Sequence, residues 1–431
     1  MKKRTWIALL LVGLVGQFAW TIENMYFNVF LYNAIAPDPT AIAWMVALSA
    51  VAATVTTLLM GALSDRVGKR KAFISLGYIL WGLSVMAFAL LARPERLQSF
   101  RAAYAAGVLT GPILVVVLDC VMTFFGSTAN DAAFNAYVTD VTTNENRGRA
   151  ESVLAILPLV SMLVIFGVFD SWTQRGDWFA FFLFFGVLMS VTGVVSLFLV
   201  KDSEALQPRR DNYFQNLLYG FTPKVVKALP ELYLSLLAFT LFSIGVQVFF
   251  PYLIVYFQHY LHMDDYAIVL GVVLLFASLV SVLTGRFLDR YGKLNFVLPA
   301  AGVMIAGLVG LYLVRSAVGV MVTGAVMMSG YMLVTAALSA LIRDYTPKDK
   351  AGHFQGVRMV FAVCLPMIIG PFIGSAVIRS SGAVYEDLGV VKNVPTPAIF
   401  LAAAVCVLLL VLPVIRLYRR KKAWGPSGAN A

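Results

Sequence analysis

Runs of about 20 apolar residues recur along this 431-residue chain, and they decide its class before any motif does. Each is long enough to cross a ~30 Å hydrocarbon core as a helix. Lipid offers no partner to a backbone amide, so such runs close their hydrogen bonds internally and read as helices, not strands. With 60% hydrophobic and 13% charged residues, the chain cannot coat itself as a soluble protein of this length must. Spans are expected at 6–33, 40–63, 72–92, 114–140, 151–171, 178–200, 232–258, 266–287, 295–315, 318–343, 354–377 and 397–417, twelve in all. The first follows Lys2, Lys3 and Arg4 as a signal peptide would. It is too long for one, carries Gln17, Glu23, Asn24 and Asn28, and lacks a small-residue cleavage site, so it reads as a retained helix.

The net charge of +11 invites a nucleic-acid reading, but the cations are placed by topology. With the N-terminus inside, 26 of the 33 Lys and Arg fall on inner segments; the outer ones are Arg93, Arg96, Arg101, Arg175, Arg315, Arg379 and Lys392. That imbalance follows the positive-inside rule and sets both termini in the cytoplasm, with a bacterial inner membrane as the expected location. No nucleic-acid partner is implied, and a monomer is expected. Cys120, Cys364 and Cys406 lie within spans at no metal-ligand spacing and read as packing residues. No metal, cofactor or disulfide is expected. Nor is an enzyme, since no nucleophile–base set or phosphate loop is found, and "GALSDRVGK" spaces its glycines wrongly for a Walker loop.

The stretch "GALSDRVGKR" at 61–70 returns as "GRFLDRYGKL" at 285–294. Gly61, Asp65, Arg66, Gly68 and Lys69 match Gly285, Asp289, Arg290, Gly292 and Lys293 at a spacing of 224. A second pair, "TDVTTNENRGR" and "RDYTPKDKAGH", aligns Asp140, Thr142 and Gly148 with Asp344, Thr346 and Gly352 at a spacing of 204. The first half therefore carries about 20 extra residues, placed most naturally in the outer segment 93–107. The chain reads as an all-α polytopic membrane protein made of two six-helix halves in parallel orientation, residues 1–200 and 232–431. Residues 201–231 form a cytoplasmic linker, in which "NYFQNLLYGF" suits a short helix on the membrane face, and the chain ends in a short basic tail.

The loop G-x-x-x-D-R-x-G-R/K after the second span, repeated after the eighth, resembles the hallmark of the major facilitator superfamily. The resemblance covers the whole chain and implies alternating access. It also implies that Asp65 sits against the N-terminus of span eleven, where an anion is worth ~0.3–1 kcal/mol when exposed and ~2 when partly buried. Gly61 would let helices approach closely, and Gly68 would permit a turn that a β-carbon blocks. The two loops, with Asp140 and Asp344, are the expected gate; the plainer reading makes Arg66, Lys69, Arg70 and Lys71 inner-face anchors.

Ionisable groups inside spans cost ~2.5–3.5 kcal/mol at a helix centre, so they are functional candidates. Gln17, Thr21, Asn24 and Asn28 are spaced 4, 3 and 4 along span one, with Glu23 beside them. In span four Asp119, Thr123, Ser127, Asn130 and Asp131 run down one side, continuing to Asn135. The second half offers neutral groups instead, Gln247, Phe249, Phe250, Tyr252 and Tyr256. Glu23, Asp131 and Asp119 are candidate ion-coupling residues; Gln17, Asn24, Asn28, Asp131, Gln247 and Tyr252 are candidate substrate ligands. The alternatives are that Asn and Ser only glue helices together, that Asp119 is simply solvated near the outer surface, and that the span-seven aromatics are packing.

The stretch "NDAAFNAYVTDVT" at 130–142 resembles the fourth helix of the glycoside–pentoside–hexuronide cation symporters. That likeness gives Asp131 the place of an acid that binds sugar hydroxyls, and Phe134 and Thr142 also match. Ala133 stands where that branch has proline and Asn135 where it has tryptophan. That branch carries sodium-site acids in its second helix, and span two here has none, which favours proton coupling through Glu23 or Asp131. The expected function is proton-coupled symport of a sugar or glycoside. A drug or metabolite exporter of the same fold is the alternative, and a non-transporting membrane receptor a distant one.

Overall fold

The computed structural model describes residues 3–143, 146–202, 220–347, 351–387 and 390–423. Among the described residues eleven helices are long and apolar enough to cross a membrane. They are α1 (Lys3–Ile35), α2 (Pro39–Val67), α3 (Arg70–Leu91), α5 (Thr110–Val141), α6 (Val153–Gln174), α7 (Trp178–Leu199), α9 (Pro230–His259), α11 (Lys293–Leu313), α12 (Ala317–Tyr345), α13 (Gly356–Ser380) and α14 (Ala398–Arg420). A further helix, α10 (Tyr266–Tyr291), fills the place of the eighth expected span, its described apolar part being Tyr266–Val280. Two shorter helices, α4 (Pro94–Ala105) and α8 (Pro223–Ala228), complete the helical set, and α4 occupies the segment assigned to the first-half insertion. A two-stranded hairpin, β1 (Val384–Asp387) and β2 (Val390–Asn393), stands between α13 and α14 where only a loop was expected.

The chain divides into two compact units. The first holds Met1–Asp211 with Tyr385–Lys392, and the second holds Asn212–Val384 with Asn393–Ala431. The linker stretch 203–219, most of the proposed surface helix, and the tail 424–431 lie outside the described residues.

Each unit is held by close helix approach. In the first, a β-carbon on Gly82 of α3 would fall on Ser190 and the Gly186 carbonyl of α7, and one on Gly193 would fall on the Ile79 amide. Ser75 and Ser196 share a hydroxyl hydrogen bond of 2.6 Å in the same seam. In the second, Gly307 of α11 rests on the Met327 backbone and Gly330 of α12 rests on the Met304 backbone. Lipid tails are as apolar as leucine, so small residues that bring backbones into contact supply the packing that hydrophobicity cannot.

The loop after α2 is built as its glycine requires. Gly68 has φ 67° and ψ 26°, a left-handed helix cap whose N–H meets Ser64 O at 2.9 Å. Its counterpart Gly292 also has positive φ, 84°. Gly61 behaves otherwise than expected: a β-carbon there would meet nothing within 4 Å among the described residues. The close approach lies elsewhere, at Gly82, Gly186 and Gly193, because those positions face α3 and α7 toward each other.

Candidate functional site

The polar stripes of α1 and α5 each run into a segment where the backbone leaves the α-helical path. Residues Ile22–Phe27 and Leu31–Ile35 in α1, and Ser127–Phe134 in α5, form π-helical turns. Such turns widen the helix and cluster at functional sites. Behind the first of them stands an aromatic wall. Phe27 packs on Phe88 at 4.1 Å between centroids, Phe30 on Phe182 at 5.0 Å and Tyr26 on Phe181 at 5.3 Å.

Glu23 points into the first unit and is buried, at 8% exposure. Thr123 Oγ1 donates to Glu23 Oε1 at 2.8 Å, joining α1 to α5. Glu23 Oε2 is buried without a hydrogen-bond partner among the described residues. Asp119, one turn from Thr123 on α5, is 1% exposed, so it is not the solvated surface acid that its position allowed. Ser49 of α2, whose hydroxyl donates to Val46 O at 3.2 Å, acts on the Asp119 carboxylate, while Asp119 Oδ1 is buried and unpartnered among the described residues. Asp119 and Asp131 both act electrostatically on Glu23. Three carboxylates of the sequence reading are thus brought into one neighbourhood.

Asp131 is half-buried and accepts from Ser127 Oγ at 3.0 Å on its own helix. Its neighbour Asn130 is part of the scaffold. Trp20 Nε1 donates to Asn130 Oδ1 at 3.3 Å, Asn130 Nδ2 donates to Tyr78 Oη at 2.7 Å, and that hydroxyl donates to Val12 O at 2.7 Å. On α1, Asn24 Nδ2 donates to Trp20 O at 2.8 Å and Asn28 Nδ2 to Asn24 O at 2.7 Å. Asn28 Oδ1 is buried without a partner among the described residues, whereas Gln17 is half-buried.

In the second unit Gln247 is half-buried, and its backbone lies against Gly370 of α13. Tyr252 is fully buried, donating to Pro371 O at 2.7 Å. Arg358 is exposed in α13, and Arg343 is the charge that acts on it.

The loop acids find cations inside their own units. Arg70, the first residue of α3, hydrogen-bonds Asp65 and Ser64, and its Nε meets Asp140 Oδ2 at 3.0 Å. Lys293 Nζ meets Asp344 Oδ2 at 2.6 Å in the second unit. Arg66 and Lys69 are exposed. Gly285, Asp289 and Arg290 belong to α10, with side-chain surroundings outside the described residues.

Residues 9–371 match the family model of the Major Facilitator Superfamily. The chain belongs to that superfamily. It is therefore a multi-pass membrane transporter of small molecules, not an enzyme. Among solved structures of the superfamily's fold, the nucleoside transporter NupG superposes with a TM-score of 0.71 at 12% identity, covering 97% of this chain and 99% of that one. A bacterial homologue of the human lysosomal transporter Spinster, solved inward-facing and occupied, gives 0.69 at 12% identity, covering 97% and 98%. No curated protein matches the sequence.

Two residues of this major facilitator escaped the sequence reading. Asp170, at the end of α6, is 2% exposed and accepts from Tyr26 Oη at 2.8 Å and Gln174 Nε2 at 2.6 Å. It lies in the last turn of the expected span 151–171, and an acid within a span, four residues before a glutamine, was the signal that it is held. Arg70 read as one of four anchors, and only the fold separates it from Lys69.

Proposed function

We propose that this major facilitator is a proton-coupled symporter of a sugar or glycoside, working by alternating access with both termini cytoplasmic. The observation that carries the reading is the Glu23–Thr123 contact, with Asp119 one turn away. Two carboxylates each keep an oxygen that is buried and, among the described residues, unpartnered. A buried acceptor without a donor is costly, and the smallest ligand that relieves it is a proton. Asp131 on α5 remains partly open, and half-buried Gln17 and Asn24 on α1 add further acceptors and donors of the kind suited to hydroxyl groups. Gln247 is the neutral counterpart in the second unit.

The test is uptake into proteoliposomes under an imposed proton gradient, using mono- and disaccharides, glycosides, nucleosides and organic cations. A sugar that drives proton entry in wild type and not in Asp131→Asn supports the reading. Silent sugars, together with proton release driven by a lipophilic cation, would replace it with an exporter.

A further inference from the structure

Asp119, Thr123, Ser127 and Asp131 stand one turn apart on α5, and residues at this spacing are neighbours on a helix surface. The Ser127 N–H bonds back to Thr123 O, shared with Phe124 O, so these two side chains leave the same side of the helix on successive turns. Exposure falls along the row. Asn135, one turn past Asp131, is exposed and Asp131 is half-buried, while Ser127, Thr123 and Asp119 are fully buried. Beyond Asp119 the same side turns apolar: Val115 is buried, and a β-carbon on Gly111 would strike Ile35 and Phe100. Among the described residues, the polar row on α5 therefore leads from the closed Glu23–Asp119 pair in one direction, toward Asp131.

The two hydroxyls between these acids each hold one of them. Thr123 Oγ1 donates to Glu23 Oε1 at 2.8 Å, and Ser127 Oγ donates to Asp131 Oδ2 at 3.0 Å. A hydroxyl has one hydrogen to give and two lone pairs with which to receive. Thr123 can thus receive a proton while it gives its own to Glu23. Ser127 is turned the other way, the orientation that suits an ionised Asp131.

We propose that the Ser127 and Thr123 hydroxyls relay a proton between Asp131 and the closed Glu23–Asp119 pair, on the reading that this pair holds the coupling proton. A proton arriving on Asp131 reverses its bond to Ser127: the carboxyl O–H donates to Ser127 Oγ, and the serine hydrogen turns toward Thr123. One proton then moves at each position. Asp131 gives its proton to Ser127 Oγ, Ser127 gives its own to Thr123 Oγ1, directly or through one water, and Thr123 gives its own to Glu23. Asp131 ends as a carboxylate and Glu23 as a carboxylic acid, with both hydroxyls neutral. The other titratable groups that feel these acids are Cys120 of α5 and Tyr78 of α3. Tyr78 is held by Asn130 and Val12 O and stands outside the row.

The experiment follows the Glu23 carboxyl by time-resolved infrared spectroscopy after a pH jump, using the full chain in nanodiscs without substrate. Glu23→Gln assigns the band. Ser127→Ala should slow its rise at least tenfold and leave its final amplitude unchanged, since a positioned proton-transfer group is worth about 10²–10⁴-fold. Ser127→Thr keeps a hydroxyl and should stay within about threefold of wild type. Asp131→Asn should slow the rise as Ser127→Ala does. The unchanged amplitude in Ser127→Ala shows that the variant is folded. Equal rates in wild type, Ser127→Ala and Asp131→Asn overturn the relay. So does equal slowing by Ser127→Ala and Ser127→Thr, which would make Ser127 a packing residue. A wild-type Glu23 band that no pH moves overturns the relay together with the coupling role of the pair. Rates that follow the expected order, while sugars drive no proton entry, leave the relay standing and remove the symport reading alone.

Discussion

Arg70 Nε and Asp140 Oδ2 meet at 3.0 Å, and the contact fastens the first residue of α3 to the last turn of α5. The Arg70 side chain is 6% exposed and that of Asp140 19%. The equivalent pair in the second unit, Lys293 and Asp344, is far more open, at 30% and 49%. The duplicated loops therefore share a fastening but differ in how much water screens it.

That difference predicts unequal costs. Breaking a fully buried pair costs about 3–5 kcal/mol, and Arg70 keeps Asp65, so Asp140→Asn should cost about 2–3 kcal/mol. Asp344→Asn should cost less than about 1 kcal/mol, as exposed pairs do. Thermal unfolding of the two purified variants compares them directly, and equal losses would contradict the asymmetry.

Glu23→Gln keeps an oxygen for the Thr123 hydroxyl and removes the charge beside Asp119. Proton-driven accumulation should fall at least tenfold, while exchange of labelled for unlabelled substrate stays within about twofold, since transition between states with bound solute no longer needs the proton. Loss of both activities together would make Glu23 a structural residue or a substrate ligand.

Tyr26→Phe deletes a buried hydrogen bond to the Asp170 carboxylate. Bonds to charged groups contribute about 1.5–3 kcal/mol. A loss of that size is expected on unfolding, and Asp170→Asn should cost less because Gln174 can turn its amide to meet the new group. A silent Tyr26→Phe would show that the contact does not bear on stability.

Two glycines of α11 separate close packing from mere helix propensity. Gly307→Ala puts a methyl on the Met327 backbone, which cannot rotate away, and overpacking of this kind costs about 1–3 kcal/mol. At Gly302 a β-carbon meets nothing within 4 Å among the described residues, so Gly302→Ala should be neutral or gain up to about 1 kcal/mol. Melting temperatures that move in the same direction for both would refute the packing account.

The duplication was legible because charge is rare inside the spans, so an Asp-Arg pair followed by Gly-Lys and repeated at one spacing stands out. Helix ends followed from the same rule. What escaped was local. The stripe of Gln17, Thr21, Asn24 and Asn28 fits a 3.6-residue period, so nothing in it announces the π turn that starts at Ile22. The choice of Arg70 over Lys69 depends on one residue of rotation past Gly68, whereas in the second unit the lysine one place earlier takes the acid. Tyr252 belongs to an aromatic run whose spacing cannot say which rings face inward, and its hydroxyl is taken by the Pro371 carbonyl. Asp119 shows the reverse: its depth in the span was ambiguous, and its burial emerges only once α2 is laid beside α5.

The reciprocal seating of Gly307 on Met327 and Gly330 on Met304 has a mechanical meaning. Two rods that touch backbone to backbone at two separate points have no play along their seam. They behave as one plank, and a transporter that must change shape has to take its compliance from other timbers.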